Sequence, residues 1–250
     1  MNWPTDFINQ VICGDCLDII KEMPDQVIDF CIADPPWNVG KDYGDFDDNK
    51  EEDKYWPWLS ERIVQIFRVL KKNSRLYCFH GDKQIFKLKP LCESLGFTFH
   101  QTLIWHRRNL CSFKKKGHIT GDWNFMHENI LLFHKGKRTS MLKNLSSNCF
   151  SVFIHAAPQS NWKGGRDHVA QKPLDLIKDL ICRTPGQLIL FPFLGSGIEA
   201  RAAKDLRRDF IAIELNPKYC KIAKERLAQE VINFIEKENQ ILLPYLEGEK

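Results

Sequence analysis

Short apolar runs and longer amphipathic runs alternate along most of the chain. Phe7–Cys13 and Val27–Ala33 read as strands, with a short helix from Cys16 between them. Asp53–Lys72 carries Leu59, Ile63, Ile66, Phe67 and Leu70 at helical spacing. "SRLYCFH" is then a strand, and Lys83–Leu95 a helix closed by Gly96, placed as a C′ glycine. "FTFHQTLIWH" and "ENILLFHK" read as further strands. Between Arg107 and Asp167 the pattern is irregular, with a Gly-Gly turn at 164–165 and room for one or two strands. Regularity returns with a Pro173–Cys182 helix, whose proline suits a first turn. The strand "QLILFPF", a helix Ile198–Leu206, the strand "FIAIE" and a helix from Pro217 to about Glu238 follow. Strands separated by helices predict an α/β fold with a mostly parallel, doubly wound sheet. No repeat or low-complexity linker divides the 250 residues.

Two interruptions of this pattern carry chemistry. At the end of the second strand stands Asp34-Pro35-Pro36-Trp37. Carboxyl ends of strands are where open α/β sheets bind ligands. Prolines fix the turn and donate no hydrogen bond, which leaves carbonyls free to accept one. A carboxylate beside such a carbonyl suits the two hydrogens of an exocyclic amine, and Trp37 offers a face for a stacked base. A strand-ending turn with a core tryptophan is the plain structural alternative.

The second interruption is "FPFLGSG", a glycine loop between strand and helix. The following strand ends in Glu214, near the spacing at which a carboxylate grips ribose hydroxyls. The loop lacks the Gly-Lys-Ser/Thr of a P-loop and the third glycine of a dinucleotide site. A nucleoside ligand without phosphates fits, and S-adenosylmethionine is one.

The net charge of +4 hides a local imbalance. Trp105–Leu145 holds nine Lys and Arg against Asp122 and Glu128, a net +7, so the rest of the chain is −3. One basic region on a mildly acidic chain is the footprint of a polyanion binder, with a solvated basic loop as the alternative. Nine scattered cysteines and an N-terminus unlike a signal peptide predict reduced thiols and a cytoplasmic protein. Cys13-Gly-Asp-Cys16 lacks the second pair of a structural zinc site, so no metal is expected. No apolar run reaches bilayer length, so no membrane is expected.

These motifs resemble those of the β-class DNA amino-methyltransferases, the N6-adenine and N4-cytosine family, and most of all its N6-adenine members. "VICGDCLDIIKEMPDQVIDFCIADPPWNVGK" is similar to the N-terminal block, and "HENILLFHKGK" and "HVAQKPLDLIKDLI" to later blocks. "FPFLGSG" is similar to Asp-Pro-Phe-x-Gly-Ser-Gly, and "IAIELNPKYCKIAKERL" to the acid-bearing strand and helix. The resemblance spans nearly the whole chain, with the acceptor motif first and the cofactor loop last. It implies a circularly permuted Rossmann-like, S-adenosylmethionine-dependent methyltransferase fold with a small basic insert. One methyltransferase domain over 1–250 is expected, with 107–167 as the variable, target-recognising region.

Carried over, the resemblance gives Asp34, Pro35, Pro36 and Trp37 the target amine and base. It gives Asp15, Lys172, Phe193, Gly195, Ser196, Gly197, Glu214 and Asn216 the cofactor. Lys41, Arg107, Arg108 and Lys114, Lys115 and Lys116 are the implied DNA contacts. The implied reaction is methyl transfer to the N6 amine of a flipped-out adenine by in-line displacement, within DNA modification or restriction-modification. RNA adenine methylation and a weakly catalytic nucleic-acid-binding subunit stand as alternatives. Two departures bear on the last. Phe191 replaces the acid before Pro-Phe, and Ile198-Glu199 replaces Thr-Thr after Gly-Ser-Gly. A homodimer is one assembly the resemblance implies. The apolar positions of 231–243 are read first as core-facing.

Overall fold

A computed structural model describes residues 1–42, 46–108, 126–140, 150–158 and 171–229. Lys114–Lys116, the 164–165 turn and 231–243 lie outside the described residues.

In chain order the elements are β1 (Gln10–Cys13), α1 (Cys16–Lys21), β2 (Ile28–Ala33), α2 (Glu52–Val69) and β3 (Leu70–His80). Then come α3 (Ile85–Ser94), β4 (Phe97–Arg107), β5 (His127–Lys135), β6 (Val152–His155) and α4 (Leu174–Arg183). β7 (Leu188–Phe191), α5 (Ile198–Asp205), β8 (Asp209–Glu214) and α6 (Pro217–Ala228) complete the series.

The strands form one sheet in the order β1-β8-β7-β2-β3-β5-β4-β6. Only the pairings of β5, with β3 and with β4, are antiparallel. β5 and β6 both fall between residues 107 and 167, so part of the segment with irregular patterning belongs to the sheet itself.

Helices cover both faces, and strand alternation divides the core between them. Cys31 and Ala33 of β2 join Ile19, Ile20, Leu59, Ile63, Ile66 and Leu88 of α1, α2 and α3. Phe30 and Ile32 face Leu176, Ile177, Leu180, Ala200, Ala203 and Ala223 of α4, α5 and α6. Covered on both sides, β2 reads as a near-continuous apolar run. Each large side chain so buried contributes roughly 2 kcal/mol.

Element boundaries differ most from the sequence expectation at four places, one of them α6, which ends at Ala228 before an extended Gln229 instead of running to about Glu238. Residues before Gln10 form turns, with Phe7 buried beneath them, so β1 is shorter than the Phe7–Cys13 run. α2 ends at Val69, and Leu70, the last residue at helical spacing, opens β3 paired with Ile28. The sequence "LKKN" is therefore strand, carrying the irregular register between Leu70 and Arg75 and a left-handed Asn73. β7 stops at Phe191, because Pro192 cannot donate to the ladder. Gly96 does take the left-handed conformation after α3, with φ of 100°.

One topological fact positions the site. From β2 the chain crosses through α2 to β3 on one side, while from β7 it crosses through α5 to β8 on the other. β2 and β7 are parallel neighbours, so a crevice opens between their carboxyl ends. Asp34-Pro35-Pro36-Trp37 leaves β2 there and Pro192-Phe193-Leu194-Gly195 leaves β7.

Candidate active site

The crevice deepens into a cleft lined by Asp34, Pro36, Lys172, Phe193, Gly195, Ser196, Glu199 and Glu214, with Asp15, Trp58 and Arg62. Two motifs about 160 residues apart in sequence thus share one wall-to-wall space.

Asp34 is held from two directions. Its Oδ1 accepts from the Trp37 indole Nε1 at 3.2 Å, and its Oδ2 lies 2.8 Å from Lys172 Nζ. Lys172, only 3% exposed, also donates to Glu128 Oε2 at 2.9 Å, and its ammonium lies over the rings of Trp37 and Phe79. Burial pulls the Lys172 pKa down, but Asp34 and Glu128 outweigh it and leave the ammonium above its ordinary range. Burial pushes the Asp34 carboxyl up, against the pull of Lys172, and leaves it raised. The shared ammonium keeps this buried pair of carboxylates compensated; removing it would strand charge in the core.

The turn itself is clamped from behind. The Gly81 N–H donates to His80 Nδ1, so the ring proton sits on Nε2, 2.9 Å from the Tyr55 hydroxyl. Tyr55 in turn donates to the Pro36 carbonyl at 2.7 Å. His80 is fully buried, and burial alone pushes its pKa down to about 3, so it acts as a neutral link. Beyond Trp37 the chain wraps around the buried Asp48 carboxylate, which accepts from the N–H groups of Asn38, Val39 and Lys41. Lys41 lies 5.3 Å from the centre of the Trp37 ring, beside the acceptor turn.

Across the cleft, Glu214 ends β8 with both oxygens accepting backbone N–H groups, from Gly195 at 2.6 Å and Asn216 at 2.9 Å. Burial raises its pKa, against those two bonds. Asn216 lines the cleft but is the N-cap of α6, its side-chain oxygen accepting from Lys218 and Tyr219. Asp15 likewise caps α1 through Leu17 N–H and pairs with Arg62 at 2.5 Å, and Arg62 stacks over Trp58. Ser196 is buried, donating to Gln171 and accepting from Arg226.

Gly197 has φ of 89°, and a Cβ there would stand 2.7 Å from the Ala223 Cβ. Its smallness serves the close approach of α6 rather than of a ligand. Phe191 is fully buried in the core on the α4–α6 face, and its side chain is not part of the cleft wall. Glu199 is part of that wall, buried in the first turn of α5, and burial pushes its pKa up to about 8, with Asp34 adding to the rise.

Arg107 stands 3.9 Å from Glu128, beside the Lys172 cluster, and Arg108 is exposed at the end of β4. Lys172 joins the acceptor motif to its carboxylates as well as lining the cleft. Glu128, Tyr55, His80, Asp48, Arg62 and Trp58 were not singled out from the sequence. Of these only Glu128 had a signal, the His-Glu strand motif. Among the described residues no group of three or more His, Cys, Asp or Glu is placed to hold a metal, and no helix is long and apolar enough to cross a membrane.

The family model for DNA methylases, N6_N4_Mtase, matches residues 28–225, which takes in both motifs. The chain is a DNA methylase of this family. Its relatives include the type II methyltransferase M.HpaI of Haemophilus parainfluenzae, 32% identical over 244 residues, covering 90% of this chain and 76% of that one. The DNA adenine methyltransferase YhdJ of Escherichia coli K12 is 28% identical over 261 residues, covering 90% and 85%. Among solved structures, the complex of M1.HpyAVI with SAM superposes on the methylase with a TM-score of 0.71 at 24% identity, covering 88% and 98% of the two chains. PvuII DNA methyltransferase, specific for cytosine N4, does so with 0.72 at 19%, covering 98% and 96%. The permuted methyltransferase fold expected of the methylase is the one it has.

Proposed function

We propose that the chain transfers a methyl group from S-adenosylmethionine to the N6 amine of adenine in DNA. The observation that carries this reading is the shared cleft, with the Asp34 turn on one wall and Glu214 with the glycine loop on the other.

The donor set fits the cofactor. A carboxylate at the end of β8, backbone from the glycine loop and the aromatic surfaces of Trp58 and Phe193 suit ribose hydroxyls and a planar base. Glu214, with Asp15, Phe193, Gly195 and Ser196, would hold it. Lys172 and Asn216 shape the same pocket from the turn before α4 and from α6, while Gly197 acts on it indirectly, by letting α5 pack closely on α6. When bound, S-adenosylmethionine supplies a methyl group on a cationic sulfur.

Adenine's amine is a weak nucleophile because its lone pair is delocalised into the ring. Asp34 and the Pro35 carbonyl accept its two hydrogens, which favours a pyramidal nitrogen with its lone pair aimed across the cleft. Much of the catalysis is positioning. Once the methyl has moved, the nitrogen is cationic and must lose a proton. Asp34, its affinity for a proton raised by burial, takes that proton and passes it to solvent. Trp37 stacks on the base, which must first leave the duplex at a cost of a few kcal/mol. Lys41, Arg107 and Arg108, with Lys114–Lys116, hold the phosphates, contacts that position without specifying sequence. The recognition role belongs to 107–167.

Asp at the head of the four-residue motif and the likeness to YhdJ support adenine over cytosine. Neutral Glu199 removes one objection to cofactor binding, since a protonated carboxyl does not repel the methionine carboxylate. The test is nucleoside mass spectrometry of DNA incubated with the chain and S-adenosylmethionine. N6-methyladenine is expected; N4-methylcytosine, or methyl transfer confined to RNA, would reject the adenine-in-DNA assignment. Asp34→Ala should abolish transfer and leave cofactor binding, followed by calorimetry, largely intact.

A further inference from the structure

A second cavity lies at the other end of the sheet, walled by β3, β4 and β5 beneath α4. Arg75 of β3 and His134 of β5 are direct cross-strand partners, and His100 of β4 meets His134 with ring centroids 5.3 Å apart. This row of cationic and imidazole groups crosses three neighbouring strands on a face that is otherwise apolar core. Arg138 and Arg183 add two guanidiniums, and among the described residues Asp179 is the one carboxylate in the wall, already 2.8 Å from His155. Tyr77, Leu103, Leu132, Phe153 and Leu180 complete the lining.

Arg75 is 2% exposed and His134 3%. Arg75 Nη2 donates to the Thr139 carbonyl, yet its Nε and Nη1, and both ring nitrogens of His134, have no hydrogen-bond partner among the described residues. Leaving such donors bare costs about 1–3 kcal/mol each, more when charged. Water would satisfy the donors but not the repulsion between the Arg75 and Arg138 guanidiniums, which both bear on His134. Burial, then Arg75, His100 and Arg138, pushes the His134 pKa down to about 4. A tetrahedral dianion answers both the bare donors and the charge.

We propose that this cavity is a second ligand site, which binds the phosphate group of a small molecule. The innermost donors lie too deep for a backbone phosphate of a duplex resting on the surface. Along β3, Arg75 lies about 16 Å from His80, behind the Pro36 turn, so the site is separate from the methyl-transfer cleft.

The experiment titrates the full chain with inorganic phosphate and, separately, with adenosine 5′-monophosphate, reading the 15N imidazole signals of His134 and His100. Those signals report on this cavity and not on the cleft. A raised His134 pKa in both arms establishes a phosphate site; a response to the nucleotide alone establishes one that also uses the apolar wall. Arg138, exposed at the rim, can be replaced without touching the core, and Arg138→Gln should weaken binding about tenfold. No movement of either histidine at about 10 mM of each probe, or binding unchanged in Arg138→Gln, overturns the proposal.

Discussion

Around Asp34 every neighbour has a definite task, and two residues behind it make the clearest prediction. Tyr55 links His80 to the Pro36 carbonyl, so the turn is fixed by a chain of two hydrogen bonds. Tyr55→Phe keeps the ring and removes the link. Transfer should slow about tenfold, with KM for S-adenosylmethionine unchanged; an unchanged kcat would mean that the prolines alone fix the turn. Glu199 makes a prediction about pH. Its pKa rises from an ordinary 4.5 to about 8 on burial, so between those values the folded chain keeps a proton that the unfolded chain releases. Stability therefore falls as pH rises through that window and the loss is complete above about 8. Glu199→Gln removes this slope. The gain in Tm of the variant over the parent should grow between pH 5 and pH 8, roughly the interval between the two pKa values. A constant difference would mean that Glu199 is ionised in the fold.

At the scale of elements, Gly197 ties α5 to α6. Its left-handed φ and the 2.7 Å approach of Ala223 leave no room for a methyl group. Gly197→Ala should cost about 2 kcal/mol or more, read as a lowered midpoint in urea, and should weaken the cofactor because Ser196 and Gly195 move with it. Cofactor affinity that survives a large stability loss would separate the loop from the helix pair. Most elements were legible because their apolar period was clean. α2 was overrun into β3 because Leu70 satisfies the helical spacing and also opens a strand, and nothing local separates the two. The acceptor turn and the glycine loop were legible as local motifs. The contacts of Lys172 with Asp34 and of Tyr55 with His80 were not, since pairing across 138 and 25 residues leaves no periodic trace.

For the molecule as a whole, affinity for DNA should follow the charges left free to meet phosphate. Each phosphate neutralised contributes about −0.9 to the slope of log K against log salt. Arg108 is exposed, whereas Arg107 already faces Glu128. Arg108→Gln should therefore flatten the slope by about one and weaken all duplex sequences alike, and Arg107→Gln should do less. Equal effects would place both side chains on phosphates.

The pairing of β1 with β8 joins Gln10–Cys13 to Ile211–Glu214, the first and last strands among the described residues. Synthesis delivers Asp34 long before Lys172, and Lys172 before Glu214. Until synthesis has passed Lys172 the acceptor turn lacks its counter-charge, and until it has passed β8 the cleft lacks Glu214 and β1 lacks its partner strand. A chain interrupted short of that strand lacks one wall of the cleft, so the space between the two motifs closes only when nearly the whole sequence has been made.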